Sequence, residues 1–228
     1  MKDKKVIAII PARGGSKRLP RKNILKLNGV PLLTRVIKTV KKTKIFDEII
    51  VSSEDKEILL IAKNAGASAY FRPLHLAKDR ATVAQTCTDV LLNNNSNLFC
   101  CIYSTAVLIK EKTLKQSFLK FLSDNNTNVL MGVSKYNYHP TQALKIMKNG
   151  NAKLLNNYYE KKQSHTYPQT RVSNGTFYWG KSSQFLKERT FYSKKLKIFN
   201  VPEKEVCDVD TLDDYQKLKK KFRYLNYD

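Results

Sequence analysis

The run Ile9 to Asn23, IIPARGGSKRLPRKN, places two glycines and five cationic side chains, Arg13, Lys17, Arg18, Arg21 and Lys22, directly behind an apolar stretch. A loop of this make-up suits a polyphosphate. Gly14 and Gly15 let backbone N–H groups approach oxygen closely, and the cations neutralise charge that would be costly to desolvate. The spacings G-x-x-x-x-G-K-[ST] and G-x-G-x-x-G are both absent, which argues against a P-loop ATPase and a standard dinucleotide fold. A basic surface turn is the bland alternative, but such a turn rarely follows a buried first strand.

A second group lies near the C-terminus, where Asp208 and Asp210 in CDVDT stand two residues apart. In an extended segment they face the same side. One or two carboxylates with phosphate oxygens and water complete a magnesium shell, so the pair suits a metal that travels with a nucleotide. Asp210 could instead cap the following helix, and Asp213 and Asp214 read as acids of its first turn. Arg72 precedes Pro73, which favours an extended backbone from which the guanidinium reaches a crevice or forms a surface ion pair. His75, His139 and His165 read as structural or solvated. Cys87, Cys100, Cys101 and Cys207 form no C-x-x-C pair and read as buried free thiols.

These groups need a scaffold, and the first half of the chain supplies one. VIAII (Val6 to Ile10), EIIVSS (Glu48 to Ser53), SAYF (Ser68 to Phe71), LFCCIYS (Leu98 to Ser104) and VLMGVS (Val129 to Ser134) read as strands. Between them, Pro31 to Lys42, Lys56 to Asn64, Ala81 to Leu92 and Lys112 to Leu122 carry apolar residues at helical spacing. The alternation predicts an α/β fold with a doubly wound, mainly parallel sheet. Ligands of such sheets bind beyond the carboxyl ends of the strands, so the loops after Ile10, Ser53, Phe71 and Ser104 are the places to search.

After Ser134 the pattern changes. QALKIMKNGNAKLL has Asn149-Gly150 between two half-apolar runs, a hairpin signal, and KKQSHTYPQTRVS is polar and turn-rich. Residues 137–173 read as an arm whose apolar face must pack on the main sheet or on a second subunit. The chain returns through GTFYWG and KLKIFNV to a last helix in TLDDYQKLKKKF, with Asp210 or Thr211 as N-cap.

The 228 residues suit one domain with a sizeable core, and no stretch is apolar for long enough to span a membrane. The apolar run in MKDKKVIAII ends at Pro11, short of a signal-peptide core, which predicts a cytoplasmic protein. The net charge of +23 is mostly lysine spread along the chain, not gathered with aromatics on one element. That distribution reads as a solvated surface favouring anionic small substrates, with a nucleic-acid-binding protein as the remote alternative.

IIPARGGSKRLPRKN resembles the signature of CMP-sialic acid synthetases, and the likeness continues through VSSEDKEI, FRPLHLAKDRAT, CIYSTAVL, NGTFYWG and CDVDTLDDY. It implies a nucleotidyltransferase that joins CMP from CTP to an acidic nine-carbon sugar, with magnesium or manganese on Asp208 and Asp210. The catalytic set implied is Arg13, Lys22, Asp208 and Asp210. Ala12, Arg13, Gly14, Gly15, Ser16, Lys22 and Asn23 would hold the nucleotide, together with Arg72 and the small Ala81 and Thr82 around the cytosine. Tyr103, Gln142, Gln169, Arg171 and Asn174 would meet the sugar. SKRLPRKN, CCIYSTAVLI, HPTQALKI and FYWG look like the pseudaminic acid branch, whereas QSHTYPQTRVSNG is closer to the sialic type, leaving N-acetylneuraminic and legionaminic acids as alternatives. The arm of such enzymes implies a homodimer.

Overall fold

Five of the six residues of Val6–Pro11 (β1) are buried, because the strand lies inside a sheet covered on both faces. The computed structural model describes residues 4–225, so the basic start at residues 1–3 lies outside it. A short antiparallel pair, Lys26–Leu27 (β2) and Val30–Pro31 (β3), leads into helix Leu32–Thr43 (α1). Then follow Glu48–Ser53 (β4), Lys56–Asn64 (α2), Ser68–Phe71 (β5), Val83–Leu92 (α3), Leu98–Ile102 (β6), Glu111–Leu122 (α4) and Val129–Ser134 (β7). The hairpin Leu144–Ile146 (β8) and Ala152–Leu154 (β9) comes next. Val172–Lys181 (β10), Ser182–Glu188 (α5), Leu196–Asn200 (β11) and Leu212–Tyr224 (α6) complete the chain.

Seven strands form one sheet in the order β11-β7-β10-β6-β1-β4-β5. β1 runs parallel to both neighbours, with Ile9 beside Ile50 and Cys101, while β10 is antiparallel to β6 and β7. The sheet is therefore doubly wound and mainly parallel. Successive residues of β1 serve opposite faces: Ala8 and Ile10 join one core, Ile7 and Ile9 the other. α1 seals the first with Leu33, Val36, Ile37 and Val40, a helical stripe. Trp179 is fully buried there, stacked on Phe46 at 5.4 Å between centroids, and its Nε1–H donates to Ser117 Oγ at 2.8 Å.

Local chemistry sets the boundaries. β6 stops two residues before the expected Ser104, since the Tyr103 carbonyl accepts from Ala106 N–H at 3.0 Å and turns the chain. α3 begins at Val83 because Thr82 caps it: the hydroxyl accepts from Gln85 N–H, and the Gln85 side chain accepts from Thr82 N–H. Thr211, rather than Asp210, caps α6 with Asp214 as its reciprocal partner. β10 breaks register with β7 between Ser173 and Tyr178, where Gly175 takes φ 63°, a conformation suited to glycine. Cys87, Cys100 and Cys101 are buried free thiols as expected, but Cys207 is only half-buried in the segment before α6.

The β8–β9 hairpin turns at Asn149-Gly150, as expected, with Gly150 at φ 84°. It forms a sheet of its own and does not join the main one. Leu144 and Ile146 remain 61% and 77% exposed. No helix among the described residues is long and apolar enough to cross a membrane.

Candidate active site

From β1 the chain steps outward to β4 and then β5, whereas β6 lies on the other side of β1. The loops leaving β1 and β6 therefore part, and a ligand crevice is expected at their carboxyl ends. A cavity of about 260 Å³ opens there, lined by Arg13, Ser16, Lys22, Asn23, Tyr103 and Asp210 and, on the opposite wall, by Arg72, Ala81 and Thr82.

The loop after β1 is held from three sides. Ala12 is buried and extends the ladder by donating to the Ser52 carbonyl at 3.0 Å, so it supports the crevice from behind. Buried Asn23 donates from Nδ2 to the Arg13 carbonyl at 2.7 Å and accepts at Oδ1 from the Ser104 hydroxyl at 2.5 Å, which joins the loop to the end of β6. On the third side, Gly14 N–H donates to Glu54 Oε1 at 2.7 Å. A Cβ on Gly14 would lie 2.6 Å from Asp55 Oδ2, so only glycine fits. The Gly14 amide, expected to face phosphate, is thus taken by a carboxylate. Ser16 N–H folds back to the Gly14 carbonyl at 3.1 Å, and Gly15 stands in open space.

Four cations of the loop converge on two carboxylates. Asp79, from the segment before α3, accepts from Arg13 at 3.2 Å and pairs with Lys17 at 2.5 Å. The hydrogen bond from Lys17, with the charges of Lys17 and Arg13, holds its carboxyl below the usual range despite some desolvation. Asp210 meets Lys22 at 2.9 Å through Oδ1 and Arg18 at 2.6 Å through Oδ2, and Lys22 also reaches the Val209 carbonyl at 3.0 Å. Partial burial pushes the Asp210 carboxyl up, but the Lys22 hydrogen bond and both cations outweigh it and leave it below its ordinary value. Arg21 is diverted: in a left-handed conformation, φ 58°, it pairs with Asp55 and Glu57 away from the crevice.

Arg72 is not a surface residue. It is buried, and it donates to the Ser52 hydroxyl at 3.2 Å and the Ser52 carbonyl at 2.6 Å. Burial lowers its pKa, against which the negative charge of Glu54 acts. Ala81 and Thr82 line the same cavity as Arg72, and Thr82 combines this position with its cap on α3. Tyr103 closes the end of the crevice, its ring 5.9 Å from Tyr178; burial, then nearby Cys101, push its phenol well above the ordinary value.

The remaining sequence-marked residues lie outside this cavity. Asp208 is exposed in a segment without regular strand structure; packing around its carboxyl, then the charge of Asp210, raise its pKa. Its carboxylate makes no hydrogen bond or ion pair among the described residues, so it has open coordination sites. No group of three or more metal-ligating side chains occurs among the described residues. The two aspartates nevertheless fit a magnesium ion that takes its other ligands from phosphate and water. Gln169 and Arg171 border a more open hollow beside the arm with Lys135 and His139, and Gln142 is exposed and lines neither hollow. Arg171 is tied to Asn200 at 3.0 Å. Asn174 is buried at the β10 bulge, where it donates to Ser134 Oγ at 3.0 Å and accepts from the Thr176 hydroxyl at 2.6 Å. The His139 ring lies 5.0 Å from that of Tyr167, tilted by 39°, and its Nε2 bonds the Pro168 carbonyl at 2.9 Å; none of the three histidines lines the cavity. Sequence reasoning missed Glu54, Asp79 and Ser104. Their partners are distant in the chain, and only the strand order brings them near.

A mainly parallel α/β sheet whose cationic glycine loop and acidic partner meet at the switch point is the frame of a nucleotidyltransferase. A family profile described as cytidylyltransferase matches residues 7–227. A pseudaminic acid cytidylyltransferase of Campylobacter jejuni is 34% identical over 93% of this chain and 94% of its own. An N-acylneuraminate cytidylyltransferase of Streptococcus agalactiae is 27% identical over 92% of this chain and 52% of its own. The fold matches a solved CMP:2-keto-3-deoxy-manno-octonic acid synthetase complexed with CTP, at TM-score 0.74 and 15% identity over 97% of this chain and 99% of that one. The chain belongs to the cytidylyltransferase family.

Proposed function

We propose that this enzyme transfers CMP from CTP to pseudaminic acid and releases pyrophosphate. The observation that carries the reading is the meeting of Arg13, Lys22 and Asp210 in one crevice of a cytidylyltransferase fold. The relative at 34% identity over nearly the whole chain supports pseudaminic acid as acceptor.

CTP lies with its triphosphate along Arg13, Ser16, Lys22 and Asn23 and its cytosine between Arg72 and the wall formed by Ala81 and Thr82. Asp208 and Asp210 would hold magnesium or manganese, which would supply charge neutralisation at the phosphates. The anomeric hydroxyl oxygen of the sugar attacks the α-phosphorus in line, the bond from that phosphorus to the bridging oxygen breaks, and pyrophosphate departs with the electron pair. Lys22 and Arg13 stabilise the charge that develops on the departing oxygens, so positioning and electrostatics account for most of the acceleration. The hydroxyl proton passes to water.

Tyr103, with Gln142, Gln169 and Arg171 on the arm side, faces the sugar, whereas the side chain of Asn174 is taken up by Ser134 and Thr176. Gln169 and Arg171 complete this subsite when the arm closes, and Arg171 offers a fork suited to a carboxylate. The exposed apolar residues Leu144 and Ile146 support a homodimer in which the hairpin packs on the partner. CTP supply places the reaction in the cytoplasm.

The Asn174-Gly175 bulge favours a second reading, an N-acetylneuraminic or legionaminic acid acceptor. Pyrophosphate release with each of the three sugars, using CTP and then ATP, GTP and UTP, tests both. Release with CTP and pseudaminic acid alone is expected. Release with either other sugar alone moves the acceptor, and release with another nucleotide removes the cytidine assignment.

A further inference from the structure

The Arg13–Gly14 peptide is held at both of its polar ends. Asn23 Nδ2 donates to its carbonyl at 2.7 Å, and Glu54 Oε1 accepts from its N–H at 2.7 Å. Asn23 is anchored through Ser104 to β6, and Glu54 follows directly on β4, so the plane is clamped between both strands that flank β1. A peptide fixed in this way cannot rotate, and its orientation decides where the Arg13 side chain leaves the loop. Glycine at position 14 makes the clamp necessary, because that residue has no side chain to restrict the turn. The second oxygen of Glu54, Oε2, is buried with no hydrogen-bond partner. An arrangement that leaves a buried carboxylate oxygen unbonded is costly, and such a group calls for a reason beyond local packing.

We infer that Glu54 is a positioning residue for the nucleotide reaction: by holding the Gly14 amide it fixes the loop in the shape that presents Arg13 to the triphosphate. It lies outside the crevice lining and does not touch the substrate. The charge of Glu54 also acts on buried Arg72, so the geometric role must be separated from the electrostatic one. Substitution separates them. Glu54→Gln keeps a carbonyl acceptor for Gly14 and removes the charge, whereas Glu54→Asp keeps the charge and falls one methylene short of the amide. Glu54→Ala removes both.

The inference rests on the proposed use of CTP, so the test has one arm with nucleotide and one without. With glycine-selective 15N labelling, the eight glycine amides can be followed individually, and Gly14 exchange with solvent can be timed in the free protein. Slow exchange is expected in the unaltered chain and in Glu54→Gln, and fast exchange in Glu54→Asp and Glu54→Ala. In steady state, KM for CTP is expected to rise about tenfold in Glu54→Asp and Glu54→Ala and to stay within about twofold in Glu54→Gln, with kcat changing less than about threefold in all. Should Glu54→Ala not fold, the Asp and Gln pair decides. A high KM in Glu54→Gln with a normal one in Glu54→Asp would overturn the inference in favour of the charge beside Arg72. Fast Gly14 exchange with unchanged KM would overturn it while leaving the CTP reading intact. If the unaltered chain does not turn over CTP, the proposed function fails, and unprotected Gly14 in that chain would remove the clamp as well.

Discussion

Lys22 Nζ lies 2.9 Å from Asp210 Oδ1, joining the loop after β1 to the segment before α6 across 188 residues of chain. Asp210 therefore anchors the cationic loop, and it is also one of the two carboxylates proposed to hold the metal. Asp208 has no ion pair among the described residues and enters the second role alone. Asp208→Asn should reduce metal-dependent turnover at least about a hundredfold with no loss in unfolding midpoint, since burial and the charge of Asp210 already disfavour the ionised carboxyl there. Asp210→Asn should reduce turnover as much and lower the midpoint too. Equal midpoints for the two variants would remove the structural half of the Asp210 assignment.

The same pair sets a pH dependence. The Asp210 carboxyl sits below its ordinary value of 3.8 in the folded chain, so its stabilisation is present above 3.8 and is lost as pH falls through the folded value. The stability gap between the unaltered chain and Asp210→Asn should be constant from neutrality to about pH 5 and shrink below pH 4. Denaturant midpoints at a series of pH values measure it, and a gap that widens on acidification contradicts the sign.

Much of this site was visible in the residues themselves. Glu48–Ser53 and Val129–Ser134 stand where their apolar runs begin and end, because strands buried on both faces show as unbroken apolar segments, and the edge strand Ser68–Phe71 also keeps its expected bounds although none of its residues is fully buried. The cationic loop and the Asp208/Asp210 pair were legible from composition and spacing, whereas the choice of Arg13 and Lys22 within the loop came from the family resemblance. The diversion of Arg21 to Asp55, the occupation of the Gly14 amide by Glu54, and the reversal of β10 within the sheet were not legible. Each depends on which strand lies beside which, a property of the assembled sheet that no local window carries. Asn174 was expected from the resemblance to meet the sugar, but the structure accounts for its side chain through Ser134 and Thr176.

Arg13→Ala should weaken CTP handling by about 2 kcal/mol, roughly thirtyfold in kcat/KM, the scale of a lost charge-assisted contact. Asp79→Asn acts in the opposite direction. Its carboxylate competes with phosphate for Arg13 and Lys17, and exposed pairs of this kind add little stability. CTP affinity should rise about threefold, most clearly at low salt, where exposed charges are least screened. Isothermal titration with CTP at two ionic strengths checks both variants, and weaker binding by Asp79→Asn would place Asp79 among the groups that hold the nucleotide.

The hairpin carries the last expectation. Leu144 and Ile146 lie on strands too short to form a stable sheet alone, and they have no cover in a single chain. Covering them with a second copy would remove apolar surface from water. Light scattering should give twice the mass of one chain for the unaltered protein and a single-chain mass for a Leu144→Lys, Ile146→Lys variant. If the arm completes the sugar subsite, that variant should show a higher KM for the sugar and an unchanged affinity for CTP, since the nucleotide crevice lies within one chain. A dimer that survives the double substitution places the interface elsewhere. A monomeric variant with unaltered sugar KM separates dimerisation from the sugar site.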